Sequence, residues 1–534
     1  MRTLLASLLV CLPLQDPDAL VRKLGSPDFE EQGKAAKALE QVGPAALPAL
    51  RKAAGGDDAD LSAWAGRIIP RIEAQEKKLR ALVAQLGSAD DEEMEKAQAA
   101  LLGAGSAAVP YLAEALKSES KNLRRRAERV LDEIRLAGPR PPEIDAPAPG
   151  WRGSRFGVRL GGKRNLVVRG GGGGDSEDGV LGALKWLSRH QGADGSWKAK
   201  DYDRHCNKLG KYAAGGPCAP APGHADFDAG VTGLSLLAFL GAGYSHLSKD
   251  TYDGICFGDV VRKGLQQLLS QQDPEGCVGS RSAQKYTYSH AIAAAALAEA
   301  YGLTGSNLFK EPAQKAVDFL VAAQNPGKGW RYAVKCGDND TSVTGWAVAA
   351  LRSAEVAGLA FPRAAYDGAR AWLDEVTDDA FNRSGYTHKG TGKVFIPGMN
   401  EQFDHHETLS AIAVLGRISI DKKLEDPRIV NACDLLLRDK PKWDGNAIDF
   451  AYWYYGSYAL FQLDGPSGPK WKAWNEDMKS ALLKHQNTGK DGCKNGSWEP
   501  VDRWSGEGGR VYATAINALT LQTYYRFAKV VEPK

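Results

Sequence analysis

The sequence predicts an all-α protein: an α6/α6 toroid, a closed double ring of helices, preceded by a short helical-repeat array. Three observations carry the prediction. A charged helix and an apolar helix alternate six times after residue 179, a loop motif recurs between them, and a helical block before residue 137 is duplicated. The 534 residues are 43% hydrophobic and 25% charged, a globular balance that excludes wholesale disorder. Lys and Arg number 68 against 65 Asp and Glu, so no basic excess points to nucleic acid. No run of about eighteen apolar residues exists, so no transmembrane segment is expected.

The chain opens MRTLLASLLVCLPLQDPD, with Arg2 ahead of an apolar run from Leu4 to Leu14. That layout predicts an export signal over residues 1–15 and a periplasmic or extracellular protein, although no small-x-small cleavage site precedes Gln15. A buried first helix is the alternative. Beyond Cys11, seven cysteines remain and none forms a C-x-x-C pair, so no zinc-ribbon or thioredoxin-type motif is present. Cys206 and Cys218 flank a Gly/Pro-rich excursion. A loop-closing disulfide and a pair of buried free thiols are both open there.

Residues 16–136 contain a repeat. LVRKLGS at 20–26 returns as LVAQLGS at 82–88, and GPAALPAL at 43–50 returns as GSAAVPYL at 105–112. Apolar residues fall at helical spacing in each copy, with Gly and Pro between. The block resembles a two-unit HEAT-type array, which implies a docking surface for a protein partner. Residues 137–178 form a Pro/Gly-rich linker with two short β-like pieces. Its five-glycine run lacks the Lys-Ser or Lys-Thr of a phosphate loop, so a flexible tether is expected.

The toroid occupies 179–534. Six segments keep a charged face, as an outer ring in water does: 180–191, 260–272, 313–324, 365–376, 427–437 and 474–486. Each is followed by a nearly all-apolar helix, at 228–243, 285–301, 340–354, 404–418, 449–463 and 509–526. Helices apolar all round must be enclosed, which predicts an inner ring. The loops carry Q-x-x-x-G-x-W in full at QGADGSW (191–197), with variants at QDPEGCV, QNPGKGW and QNTGKDGCKNGSW. The Gln can bond open backbone groups at a helix end, the Gly permits the turn, and the Trp packs over the joint.

That motif, with DTSVTGW opening an inner helix at 340–346, resembles the prenyltransferase/squalene-cyclase repeat family over residues 178–527. The resemblance implies the terpenoid-cyclase-like toroid. It also implies that the first turns of the inner helices converge on one mouth. Candidate catalytic residues there are Asp338, Asp340, His290, Asp404 and His405. Candidate binding residues are Asp228, Tyr286, Tyr288, His406, Glu407, Asp449, Tyr452, Trp453, Arg510 and Tyr512. Asp228, Asp340, Asp404 and Asp449 can also serve as plain N-caps.

The family's cyclases protonate an alkene from D-x-D-D-T, whereas this chain reads Asp338-Asn339-Asp340-Thr341. In either alignment one required group is missing. Its protein prenyltransferases hold zinc with Asp, Cys and His, but their D-x-C reads D-x-D at 338–340, so no metal ligand is assigned. No cofactor is identified. These departures favour a toroid that binds a hydrophobic or sugar-like ligand, or a protein partner, with a degenerate acid motif. The alternative is an enzyme in which Asp340, with His290, His405 or Asp404, performs acid–base or metal-assisted chemistry on an isoprenoid or carbohydrate.

Overall fold

The computed structural model describes residues 17–26, 29–56, 58–88, 90–136, 159, 167, 171–206, 218–389 and 407–526. The chain forms two compact units, Met1–Gly138 and Pro139–Lys534. The proposed export segment lies outside the described residues.

The first unit contains α1 (Pro17–Leu24), α2 (Phe29–Val42), α3 (Leu47–Ala54), α4 (Ala59–Leu86), α5 (Asp91–Ala104), α6 (Val109–Ala115) and α7 (Lys121–Leu136). The sequence repeat is a repeat of core positions. Leu24, Leu39, Leu50, Ile68 and Ile72 are buried in one cluster, and Leu86, Leu101, Leu112, Val130 and Ile134 in a second. The long α4 serves both copies, its first half closing one cluster and its second half opening the next.

In the second unit, outer helices α8 (Gly174–Arg189), α10 (Phe257–Ser270), α12 (Asn307–Ala323), α14 (Ala364–Val376), α16 (Pro427–Leu436) and α18 (Pro469–Leu483) alternate with inner ones. The inner helices are α9 (Asp228–Gly241), α11 (Tyr286–Thr304), α13 (Thr341–Ala357), α15 (Thr408–Asp421), α17 (Phe450–Asp464) and α19 (Ser505–Leu521). Each inner helix packs on the next and α19 packs back on α9, so the ring is closed. Strands among the described residues are confined to two short hairpins. In α9 every residue after Asp228 is buried, whereas α10 buries one face, as the two hydropathy patterns require.

The loop motif ties neighbouring pairs together. The Gln amide donates twice, once within its own loop and once to an early carbonyl of the next outer helix. Gln191 bonds Gly195 O and Val260 O at 3.0 and 2.9 Å, and Gln272 bonds Gly276 O and Pro312 O at 3.2 and 2.9 Å. Gln324 bonds Lys328 O and Ala365 O at 2.7 and 2.9 Å. Gln486 reaches Gly496 O and Gly179 O, both at 2.8 Å, and so joins the last outer helix to the first. The Gln therefore does more than finish its own helix. Trp197, Trp330 and Trp498 each return their indole N–H to a carbonyl of the preceding outer helix, at 2.7–2.9 Å. Gly195, Gly276 and Gly496 have φ of +88°, +98° and +93°, and a Cβ on each would lie 2.1–2.3 Å from a carbonyl oxygen of the adjoining outer helix. Only glycine fits that approach.

The tether expectation needs correction at its C-terminal end. Arg159 and Val167 are buried, and α8 begins at Gly174, inside the glycine run. Arg159 bonds the fully buried Glu299 of α11 at 2.6 Å, and Arg526 bonds the same carboxylate at 3.0 Å. Arg526 also donates to Tyr454 of α17 at 2.8 Å, across the ring from α11. Side chains thus fill the interior there. A cavity of about 40 Å3 remains among Gly345, Arg352, Ser419, Tyr454, Tyr455 and Gln462, room for a few waters.

Candidate functional site

The starts of four inner helices, α11, α13, α17 and α19, interact with one another. The Tyr288 phenol of α11 feels the charge of Asp340 at the start of α13, and Tyr512 of α19 feels both Tyr288 and Asp449. Lys285, just before α11, pairs with Glu507 of α19 at 2.9 Å. Asp340, Asp449, Tyr288 and Tyr512 therefore share one end of the ring.

Asp340 is the N-cap of α13. Its Oδ1 accepts from Val343 N–H at 2.7 Å and from the Ser342 hydroxyl at 2.8 Å. Its Oδ2 is buried and has no hydrogen-bond partner; Arg331 Nε stands 3.9 Å away, too far for one. Burial pushes the carboxyl up to about 6, against the pull of its cap bonds and of Arg331. Arg331 also reaches the exposed Asp338 at 3.5 Å. Its guanidinium lies over the rings of Tyr332 and Tyr386, 5.1 and 6.0 Å from their centroids. The two phenols are hydrogen-bonded to each other. Burial and the neighbouring Asp340 charge raise the pKa of both Tyr288 and Tyr386.

A second carboxyl pair lies at the start of α17. Asp449 caps that helix through Tyr452 N–H at 2.8 Å and accepts from Trp504 at 2.8 Å and Thr408 at 2.6 Å. Asp502 accepts from Phe450 N–H at 3.1 Å, the Ser505 hydroxyl at 2.5 Å and Tyr512 at 3.3 Å. Burial and the Asp449 charge push Asp502 up to about 7. Each of these four carboxylate oxygens has a donor, so the pair holds two helix starts together, whereas Asp340 leaves one buried oxygen without a donor.

The other candidates make contacts of their own. Asp228 does not cap its own helix; it accepts from Ala199 N–H at 2.9 Å and pairs with Lys198 at 3.1 Å. Burial raises its pKa. The Tyr286 hydroxyl accepts from Val334 N–H at 3.1 Å. Glu407, raised by burial, is held by Arg383 at 2.5 Å and Ser410 at 3.0 Å. Four residues turn away from the mouth because the helical period aims them at the outer ring or the seam. His290 accepts from Val278 N–H and donates to Ala316 O, both at 3.0 Å, and burial lowers it to about 4. With both nitrogens engaged it has none left for acid–base work. Tyr452 donates to Leu436 O at 2.8 Å, and Trp453 packs among Trp443 and Phe450. Arg510 binds Glu499 at 2.5 Å and Tyr202 at 3.2 Å. Asp404, His405 and His406 lie outside the described residues.

Sequence reasoning missed Arg331, Tyr332, Tyr386 and Asp502, which stand on the loops ahead of the inner helices. It also missed a cluster of thiols. The seven described cysteines are free, so Cys206 and Cys218 form no disulfide. Instead His190, Cys206, Cys218 and Cys493 bring one ligand atom each to within 4.8 Å of one another. Metal ligation was assigned to none of these residues because they follow no short motif.

No family model matches this chain, and no curated protein matches it in sequence. Solved structures do. A variant of the type II terpene cyclase MstE from Scytonema is 13% identical, covering 66% of this chain and 97% of its own at a TM-score of 0.42. The α-1,6-mannanase GH76A of Salegentibacter sp. is 11% identical, covering 66% and 99% at 0.42. An α-amylase from Clostridium perfringens is 13% identical, covering 65% and 98% at 0.41. Likeness at that level carries no statement about chemistry. The toroid rests on the closure of this chain's own helices.

Proposed function

We propose that the toroid binds a hydroxyl-bearing, sugar-like small ligand at the mouth centred on Asp340. The observation that carries this reading is Asp340 Oδ2, a buried carboxyl oxygen with no hydrogen-bond partner beside Arg331 and three tyrosines. An unpaired buried polar atom costs about 1–3 kcal/mol, which a ligand hydroxyl would recover. An isoprenoid cation suits the site less well. The tyrosine faces that would stabilise it already hold the Arg331 guanidinium, and like charges repel. Asp340→Asn should weaken binding of neutral oligosaccharides at least tenfold in native mass spectrometry. Equal binding by the variant, or preference for prenyl alcohols, contradicts the reading.

A second reading is acid–base catalysis on the same ligand class. Its support is the Asp340 carboxyl at about 6, which exchanges a proton near neutral pH. The first unit, with its duplicated apolar cores, fits a HEAT-like arm that docks a protein partner. The charged-then-apolar start of the chain supports export.

A further inference from the structure

His190 ends the first outer helix, Cys206 and Cys218 lie on the loop between α8 and α9, and Cys493 lies on the loop between α18 and α19. We propose that these four side chains hold one structural zinc ion, which fastens the seam where the ring's last helix pair meets its first.

The distances fit a metal. His190 Nε2 lies 3.5 Å from Cys206 Sγ, 3.6 Å from Cys218 Sγ and 3.4 Å from Cys493 Sγ. A tetrahedral zinc with bonds of about 2.3 Å to sulfur and about 2.0 Å to nitrogen requires nitrogen–sulfur edges of roughly 3.5 Å. The imidazole is already aimed. Its Nδ1–H donates to Trp186 O at 2.8 Å, leaving Nε2 as the free lone pair toward the thiols. Trp186 stacks on the ring at 4.0 Å and fixes its plane. Cys218 N–H donates to Cys206 Sγ at 3.2 Å, a bond that stabilises a metal-bound thiolate.

The donor set names the ion and its role. Three thiolates and one imidazole form a soft, four-coordinate set suited to zinc, with no position left for substrate. A Cys206–Cys218 disulfide would leave the approach of Cys493 and His190 without a cause. The site's place in the chain gives its purpose. Nearby, Arg189 bonds Asn495 O at 2.8 Å and Gln486 bonds Gly179 O at 2.8 Å, so the metal reinforces a joint that no covalent connection spans.

The test uses the full chain, expressed with zinc and purified without chelator. Elemental analysis should give one zinc per chain, and cobalt exchange should give thiolate charge-transfer and tetrahedral ligand-field bands. Cys493→Ser should bind zinc at least tenfold more weakly, while Cys433→Ser, a buried thiol elsewhere, should retain it. If Cys493→Ser fails to fold, the wild type decides: a chromogenic chelator should release one zinc as three thiols become titratable. Hydrogen exchange after chelation should rise first at residues 180–190 and 489–498. Zinc-free protein, a Cys206–Cys218 disulfide in a non-reduced digest, or exchange rising uniformly around the ring would overturn the proposal.

Discussion

Replacing Gly276 by alanine separates two roles of the loop glycine, and Gly327 is the internal control. Both have left-handed φ, +98° and +67°, so both alanines carry a backbone cost of about 1–2 kcal/mol. They differ in what the new Cβ meets. At Gly276 it falls 2.2 Å from Lys315 O and 2.7 Å from Lys315 C, main-chain atoms inside α12; at Gly327 nothing lies within 4 Å. Relieving the contact means moving the loop off α12, which lengthens the Gln272 bond to Pro312 O, now 2.9 Å. Overpacking against a fixed backbone costs roughly 1–3 kcal/mol. The entropic gain of alanine in the unfolded chain is common to both variants and cancels. Gly276→Ala should therefore destabilise the toroid by about 2 kcal/mol more than Gly327→Ala, read by denaturant unfolding followed by tryptophan fluorescence. Equal losses would show that this loop does not clamp the outer helices.

Glu299→Gln removes the buried carboxylate that Arg159 and Arg526 share and should cost about 3–5 kcal/mol in the same unfolding assay. Burial alone would raise the Glu299 carboxyl, but the two guanidiniums outweigh it and hold the pKa below the usual range. Its contribution is therefore present above about pH 4.5 and lost as pH falls through the lowered folded value, so the wild type should lose stability in acid more steeply than the variant. Asp502 and Asp340 act with the opposite sign, since their folded values of about 7 and about 6 exceed the unfolded one. Each removes up to about 1.4 kcal/mol per pH unit as pH rises from about 4 to its folded value. In Asp502→Asn the decline between pH 6 and 7 should vanish from a pH series of melting curves. Gln486→Leu deletes the bonds to Gly496 O and Gly179 O and should speed hydrogen exchange at the start of α8 more than at α12.

The fold was legible because enclosure leaves a mark on composition. Helices such as 228–243 and 285–301 carry almost no charge, while their partners keep Lys185, Arg262 and Lys315 on one face. The candidate site was legible only where it follows the helix register. Asp340 and Tyr288 fall at helix starts that the hydropathy pattern marks, but Arg331, Tyr332 and Tyr386 stand on loops with no period to follow. His290 was misplaced because two residues, about 200° around the helix axis, separate it from Tyr288 and turn it to the outer ring, where Ala316 O and Val278 N–H take both nitrogens. The thiol cluster was out of reach for another reason. His190 and Cys493 are 303 residues apart, and only ring closure brings them together.

Contact between a ligand and Asp340 Oδ2 at the mouth is read most directly by proton-linked calorimetry. Titration of an oligosaccharide into the full chain near pH 6, in buffers of different ionisation heat, measures protons exchanged on binding. A hydroxyl donated to the carboxylate lowers its pKa, so the wild type should release a fraction of a proton per ligand and Asp340→Asn none. Binding with no buffer-dependent heat, or the same release from the variant, would contradict the assignment.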